Sequence, residues 1–134
     1  MRVVQSAAVI ALEVSSAGRP GSHGGVPSTI RNLVNGLIRE DTGTRYALCV
    51  RFSRWRKGYR LDLQGPNTCT RVLQDPLNGW LLRGARMLHS MGIFLPLTPR
   101  IPKLVTVHDL NAVRNTQWVR PHWHEHRTER IRRA

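Results

Sequence analysis

The chain is poor in lysine: of its 21 basic residues only Lys57 and Lys103 are lysines, the rest arginine. It is also poor in acid, with 8 Asp and Glu, so the formal charge is +13. That balance raises nucleic acid or an anionic membrane as partner, with an arginine bias in the coding genome as the plainer source. Two cysteines, Cys49 and Cys69, exclude a disulfide framework and set a reducing, cytoplasmic compartment as the default. Cys49 lies in an apolar run, where a thiol behaves as a small hydrophobe. No run of ~18 apolar residues is present, which argues against a transmembrane helix. The N-terminus has a short apolar stretch, but Gln5, Ser6 and Glu13 interrupt it, so it reads as a first strand rather than a signal peptide. What is present is a hydrophobic content of 40% in 134 residues, enough for one domain with a core and too much for a disordered tail.

The hydrophobic pattern alternates between two periods. Residues 2–14 read as a strand and loop, followed by a turn-rich stretch with four glycines over 15–25. Val26, Ile30, Leu33, Val34, Leu37 and Ile38 form one stripe of a helix over 27–40, with Pro27 in its first turn and Gly43 as its stop. The segment 45–52 is apolar on both faces, as a covered parallel strand is. Residues 53–60 form a basic loop, 61–63 a short strand and 65–70 another loop. A second helix opens at Asp75-Pro76 and either stops at Gly84, leaving a short strand at 87–90, or runs on to Gly92. Three prolines keep 95–102 irregular, LVTVH at 104–108 is a strand, and 121–134 reads as a charged helix. The order predicts an α/β, Rossmann-like fold: an open, mostly parallel sheet with helices on both faces.

Ligands of such sheets bind beyond the carboxyl ends of the strands, near a switch in strand order. Three loops qualify. His23-Gly24-Gly25 leads into the first helix, where glycines let a ligand approach the backbone and the helix end favours an anion. His89-Ser90 follows the short strand. His108-Asp109 closes the LVTVH strand, and a histidine there can donate a hydrogen bond to a sugar hydroxyl or a developing charge.

The segment LVTVHDLN resembles the VVTVHDL segment of retaining glycosyltransferases of the GT-B fold, family 4. GGVPSTIRNLVNGLIRE is similar to that family's glycine-rich loop and first helix. LHSMGIFLPLTPRIPK resembles its segment before the HDL strand, and WHEHRTERIRRA resembles the helix after it. The match runs in order over essentially the whole chain. The resemblance implies the acceptor-side half of a two-domain enzyme that transfers a hexose from a nucleotide sugar to a hydroxyl of a glycan or lipid-linked acceptor, with retention. It implies that His108 is an active-site residue facing the transferred sugar, with Asp109 supporting its loop. Gly24 and Gly25 would lie near the donor phosphates, and His89 and Ser90 would line the cleft. No cofactor or metal is expected beyond the nucleotide-sugar co-substrate. The family's carboxylate pair belongs to a second, C-terminal domain, so the chain reads as truncated at its C-terminal end and inactive alone, with the other domain on a second chain as one arrangement.

The competing expectation is a small basic α/β protein that binds nucleic acid or an anionic membrane. It rests on Arg51, Arg54, Arg56, Lys57 and Arg60 with Trp55 and Tyr59 among them, since aromatics between cations can stack bases. For a transferase with a lipid-linked acceptor, the same arginines suit peripheral contact with the inner face of a membrane. His122, His124 and His126 offer weak metal-ligand spacing; HExxH is absent, and solvent-facing histidines are the ordinary reading.

Overall fold

A computed structural model describes residues 8–110 apart from 20, 22, 62 and 99, together with 114, 117, 125, 128, 129 and 132. Within the helix expected over 121–134, the described Glu125, Thr128, Glu129 and Arg132 are helical, while His122, His124 and His126 lie outside the described residues. Five strands form one sheet: β1 (Val9–Glu13), β2 (Arg45–Arg51), β3 (Thr68–Leu73), β4 (Ala85–Ser90) and β5 (Lys103–Val105). Their order is β3-β2-β1-β4-β5, and every pairing is parallel. The expected Rossmann-like α/β fold is therefore present. Among the described residues no helix is long and apolar enough to cross a membrane.

Period-two alternation divides the core. Leu12, Val14, Tyr46, Leu48 and Val50 point to the face covered by α1 (Gly25–Glu40), meeting its buried Ile30 and Val34. Burial of each such side chain contributes roughly 1.5–3 kcal/mol. Val26, Leu37 and Ile38 pack half-buried at the edge of this layer, while Leu33 is 44% exposed and falls off the stripe. The opposite face is built from small groups, Ala11, Ala47, Cys49 and Ala85, with Leu73, Leu82 and Leu88. That face carries the single helical turn α3 (Asn78–Leu81), which lies against β3.

Five local expectations change. The loop assigned to 65–70 is the beginning of β3; Gly65-Pro66-Asn67 make the turn, and the β-branched Thr68, Thr70 and Val72 suit an edge strand. Leu61 and Leu63 are in no strand and instead pack on the α1-side core. The helix from Asp75-Pro76 shrinks to the one turn of α3, because the Asp75 carboxylate ties the segment down by accepting hydrogen bonds from the Asn78 side chain and from the Leu97 amide at 3.0 Å. Gly84, at φ 82°, ends the segment and releases β4, the shorter of the two alternatives. The LVTVH strand pairs over Lys103–Val105 only, because β5 is an exposed edge. In the basic stretch, α2 (Phe52–Trp55) replaces part of the loop.

Candidate functional site

The chain winds outward from β1 through β2 to β3, then returns to the far side of β1 as β4 and β5. The direction reverses between β1 and β4, so the crevice rule points to the carboxyl ends of those two strands. Glu13 ends β1 there, with Ser15 and Ser16 in the loop that follows, and Met91 and Gly92 follow β4. The Met91 amide donates to the Glu13 carbonyl at 3.2 Å, and a Cβ on Gly92 would touch Ser16 Oγ at 3.4 Å.

The segment after β5 is tied to this edge. Thr106 N donates to the Ser90 carbonyl at 2.9 Å, and His89 Nε2 lies 2.8 Å from Thr106 Oγ1. His108 Nε2 lies 2.8 Å from the Met91 carbonyl. A carbonyl only accepts, so Nε2 carries the proton. In the neutral ring Nδ1 is then the acceptor, able to receive a hydroxyl proton; donation from Nδ1 requires the imidazolium. The histidine expected to donate to a sugar hydroxyl thus spends its neutral-state donor on the backbone.

The other expected residues take distinct places. Asp109 is exposed directly after His108. Ser90 is fully buried, and its single hydroxyl proton is directed inward, shared between the carbonyls of Gly92, at 2.7 Å, and Phe94. It therefore shapes the turn after β4 and does not present its oxygen to a cleft. His89 shares the α1 face with its register partner Leu12. Burial lowers its pKa below the usual histidine range, keeping the ring neutral. Gly24 is the extended cap of α1 and Gly25 its first residue, with open space where a Gly25 side chain would be. They reach this edge from the helix, not from the Met91–His108 junction.

A depressed histidine pKa has a signed consequence. His89 contributes stability that is present above its unfolded value of about 6.5 and is lost as pH falls through the lower folded value. The stability advantage of the wild type over His89→Gln should shrink on acidification through that window, measured by urea unfolding at a series of pH values. An advantage that stays constant from neutral pH into the acid range would show that the ring is not held neutral by the fold.

Sequence reasoning missed the group beside this junction. Glu13, 1% exposed, accepts from Ser15 N at 3.2 Å and faces Arg51 Nε at 3.4 Å. Arg51 N donates to Ser15 Oγ at 2.9 Å, and the Arg51 guanidinium lies 4.2 Å from the Phe94 ring centre. Burial raises the Glu13 pKa, while Arg51 pulls it down. The carboxylate interrupting an otherwise apolar strand was the available signal. A cavity of about 290 Å³ opens beside Arg51 at the ends of β2 and β3, bordered by Leu73, Asp75, Asn78 and Phe94. In the basic stretch, Phe52 and Trp55 stack with centroids 6.3 Å apart, and Arg56 and Arg60 lie over the two rings at 5.8 and 4.3 Å. Among the described residues no group of three or more His, Cys, Asp or Glu is placed to hold a metal ion.

No protein-family model matches the chain, and neither a curated protein nor a solved structure matches it significantly.

Proposed function

We propose that the chain is the acceptor-side half of a retaining nucleotide-sugar glycosyltransferase of GT-B architecture, acting on a hydroxyl of a glycan or lipid-linked acceptor in the cytoplasm or at the inner face of the membrane. One observation supports this above others. The two pieces of the resemblance, His89-Ser90 and Thr106-Val107-His108, are separate in sequence but joined by the His89–Thr106 and Met91–His108 bonds at the switch-point edge. The bonds fix the ring of His108 before any sugar arrives. Catalysis in this reading is positioning and electrostatics, with no protein nucleophile, cofactor or metal. The carboxylate pair and the cationic groups that act on the donor diphosphate belong to a second domain and are not among these 134 residues.

The test is transfer from a panel of nucleotide hexoses to glycan and lipid-linked acceptors, with the chain alone and with a donor-binding domain supplied in trans. The chain alone should give no product. The combination should turn over, and His108→Ala should lower kcat by roughly 10²–10³-fold, as loss of one preorganised polar group does. Turnover by the 134 residues alone, or full activity of the His108→Ala protein, would count against the reading. The nucleic-acid rival needs aromatic faces on which bases can stack; Phe52 and Trp55 instead stack on each other and lie under Arg56 and Arg60.

A further inference from the structure

Two cavities adjoin at the loop after β1, and arginines line both. One, of about 350 Å³, lies between Ser15, Ser16 and the start of α1 and carries Arg19, Arg51 and Arg54. The other, of about 300 Å³, carries Arg19 again, with Arg31 and Arg60. Five arginines thus line the two cavities: Arg19 on the loop itself, and Arg31, Arg51, Arg54 and Arg60 on α1, β2, α2 and the stretch after α2. None of the described residues lining either cavity is acidic. Arg51 already has a counter-charge in the buried Glu13, 3.4 Å from its Nε, so Arg19, Arg31, Arg54 and Arg60 carry the excess positive charge.

The arrangement is built, not scattered. The Arg31 guanidinium donates to the Ala17 carbonyl at 2.5 Å. Arg60 Nη1 donates to the carbonyls of Trp55 and Tyr59, both at 2.7 Å, and Arg54 Nη1 to the Tyr59 hydroxyl at 2.9 Å. The Arg60 amide donates to the Gly18 carbonyl at 2.7 Å, and the approach is so close that a Cβ on Gly18 would lie 3.0 Å from the Arg60 oxygen. An arginine bias alone would spread such groups over the surface. Gathering like charges around shared cavities raises the local potential, which an anion relieves. The planar guanidinium fork suits phosphate oxygens in particular. The first turn of α1, which contains no acidic residue, adds a potential of the same sign.

We infer that the two cavities form one binding site for a phosphate carried by the acceptor. This rests on the transferase reading, in which these residues belong to the acceptor side and the donor diphosphate is held mostly by the other domain. The glycine pair Gly24 and Gly25 lines neither cavity. Phosphate on a soluble phosphosugar and phosphate in a lipid headgroup share the required chemistry.

The experiment is an NMR-monitored titration of the whole chain at constant ionic strength with inorganic phosphate, a hexose phosphate, the uncharged hexose and a nucleoside diphosphate. A parallel arm measures co-sedimentation with phosphatidylcholine vesicles with and without phosphatidylglycerol. The hexose phosphate should bind saturably, with shifts centred on 15–31 and 51–61, and the uncharged hexose should not. Arg19→Ala/Arg54→Ala should weaken binding by about tenfold or more, the scale of one lost charge-assisted bond. Arg39→Ala, exposed at the far end of α1, should bind as the wild type does. Arg19→Ala alone, at an exposed position, should bind more weakly than wild type and guards against misfolding of the double variant. Saturable binding of the hexose phosphate without vesicle binding assigns the soluble source. Vesicle binding that needs phosphatidylglycerol and is lost in the double variant assigns the lipid source. Absence of saturable phosphate binding, or an equal loss in Arg39→Ala, overturns the site. Tighter binding of the nucleoside diphosphate than of the hexose phosphate overturns its assignment to the acceptor. Phosphate binding with no transfer in the reconstituted assay would sink the transferase reading and leave an anion site standing; transfer without phosphate binding would do the reverse.

Discussion

Arg51→Ala should destabilise the fold by about 3–5 kcal/mol, the scale of removing one partner from a buried ion pair. Glu13 is almost fully buried, with the Ser15 amide and the Arg51 guanidinium against its Oε1. Without Arg51 the carboxylate loses its counter-charge inside the protein. Burial already raises the Glu13 pKa and Arg51 opposes that shift, so the variant raises it further. For an acid with a raised folded pKa, the associated stability is fully present below the unfolded value, about 4.3, and is lost as pH rises through the folded value. The penalty in Arg51→Ala should therefore grow as pH rises and be smallest in acid. Glu13→Gln/Arg51→Ala, which removes the stranded charge, should be more stable near neutral pH than Arg51→Ala alone. Urea unfolding of the four proteins of this cycle measures both effects. A change below about 0.5 kcal/mol in Arg51→Ala would mean that the pair behaves like an exposed one.

Cys49 should be close to inert in the native protein. The thiol is buried in the centre of the sheet, donates to the Ala47 carbonyl at 3.3 Å, and has its pKa pushed up to about 12 by burial, with Glu13 adding to the rise. The thiolate is the reactive form, and at pH 8 such a shift lowers its fraction about a thousandfold relative to an ordinary cysteine. In a Cys69→Ser background, alkylation of the remaining thiol should be slower in native buffer than in urea by at least that factor. Labelling in native buffer within tenfold of the denatured rate would place Cys49 at an accessible surface instead.

Much of the fold was legible because a parallel sheet writes itself into the chain as doubly apolar runs. Arg45–Arg51 is such a run, and α1 announced itself by the Val26, Ile30, Val34 and Leu37 spacing. The edge strands were harder. Thr68–Leu73 mixes polar and apolar groups with no sustained alternation beside a Gly-Pro-Asn turn, and its strand character comes from pairing with β2, a long-range fact. The candidate site was legible as separate pieces, because His89 and Ser90 close β4 and His108 follows the apolar run that contains β5. How the pieces are used was not. Ser90 turns inward, and His108 gives its proton to a backbone carbonyl. The arginines gathered round the loop after β1 come from Arg19 to Arg60, and no local spacing foretells that they share walls.

The shortness of β5 has a consequence for precision. His108 hangs beyond a three-residue edge strand, fastened to β4 by the His89, Ser90 and Met91 bonds rather than by the sheet interior. Edge elements open at a lower free energy than the central strands, where Leu12 and Leu48 are buried. The accuracy with which this histidine is held is therefore set by a few local bonds, and it can be tuned by changes at those bonds without altering the stability of the central strands.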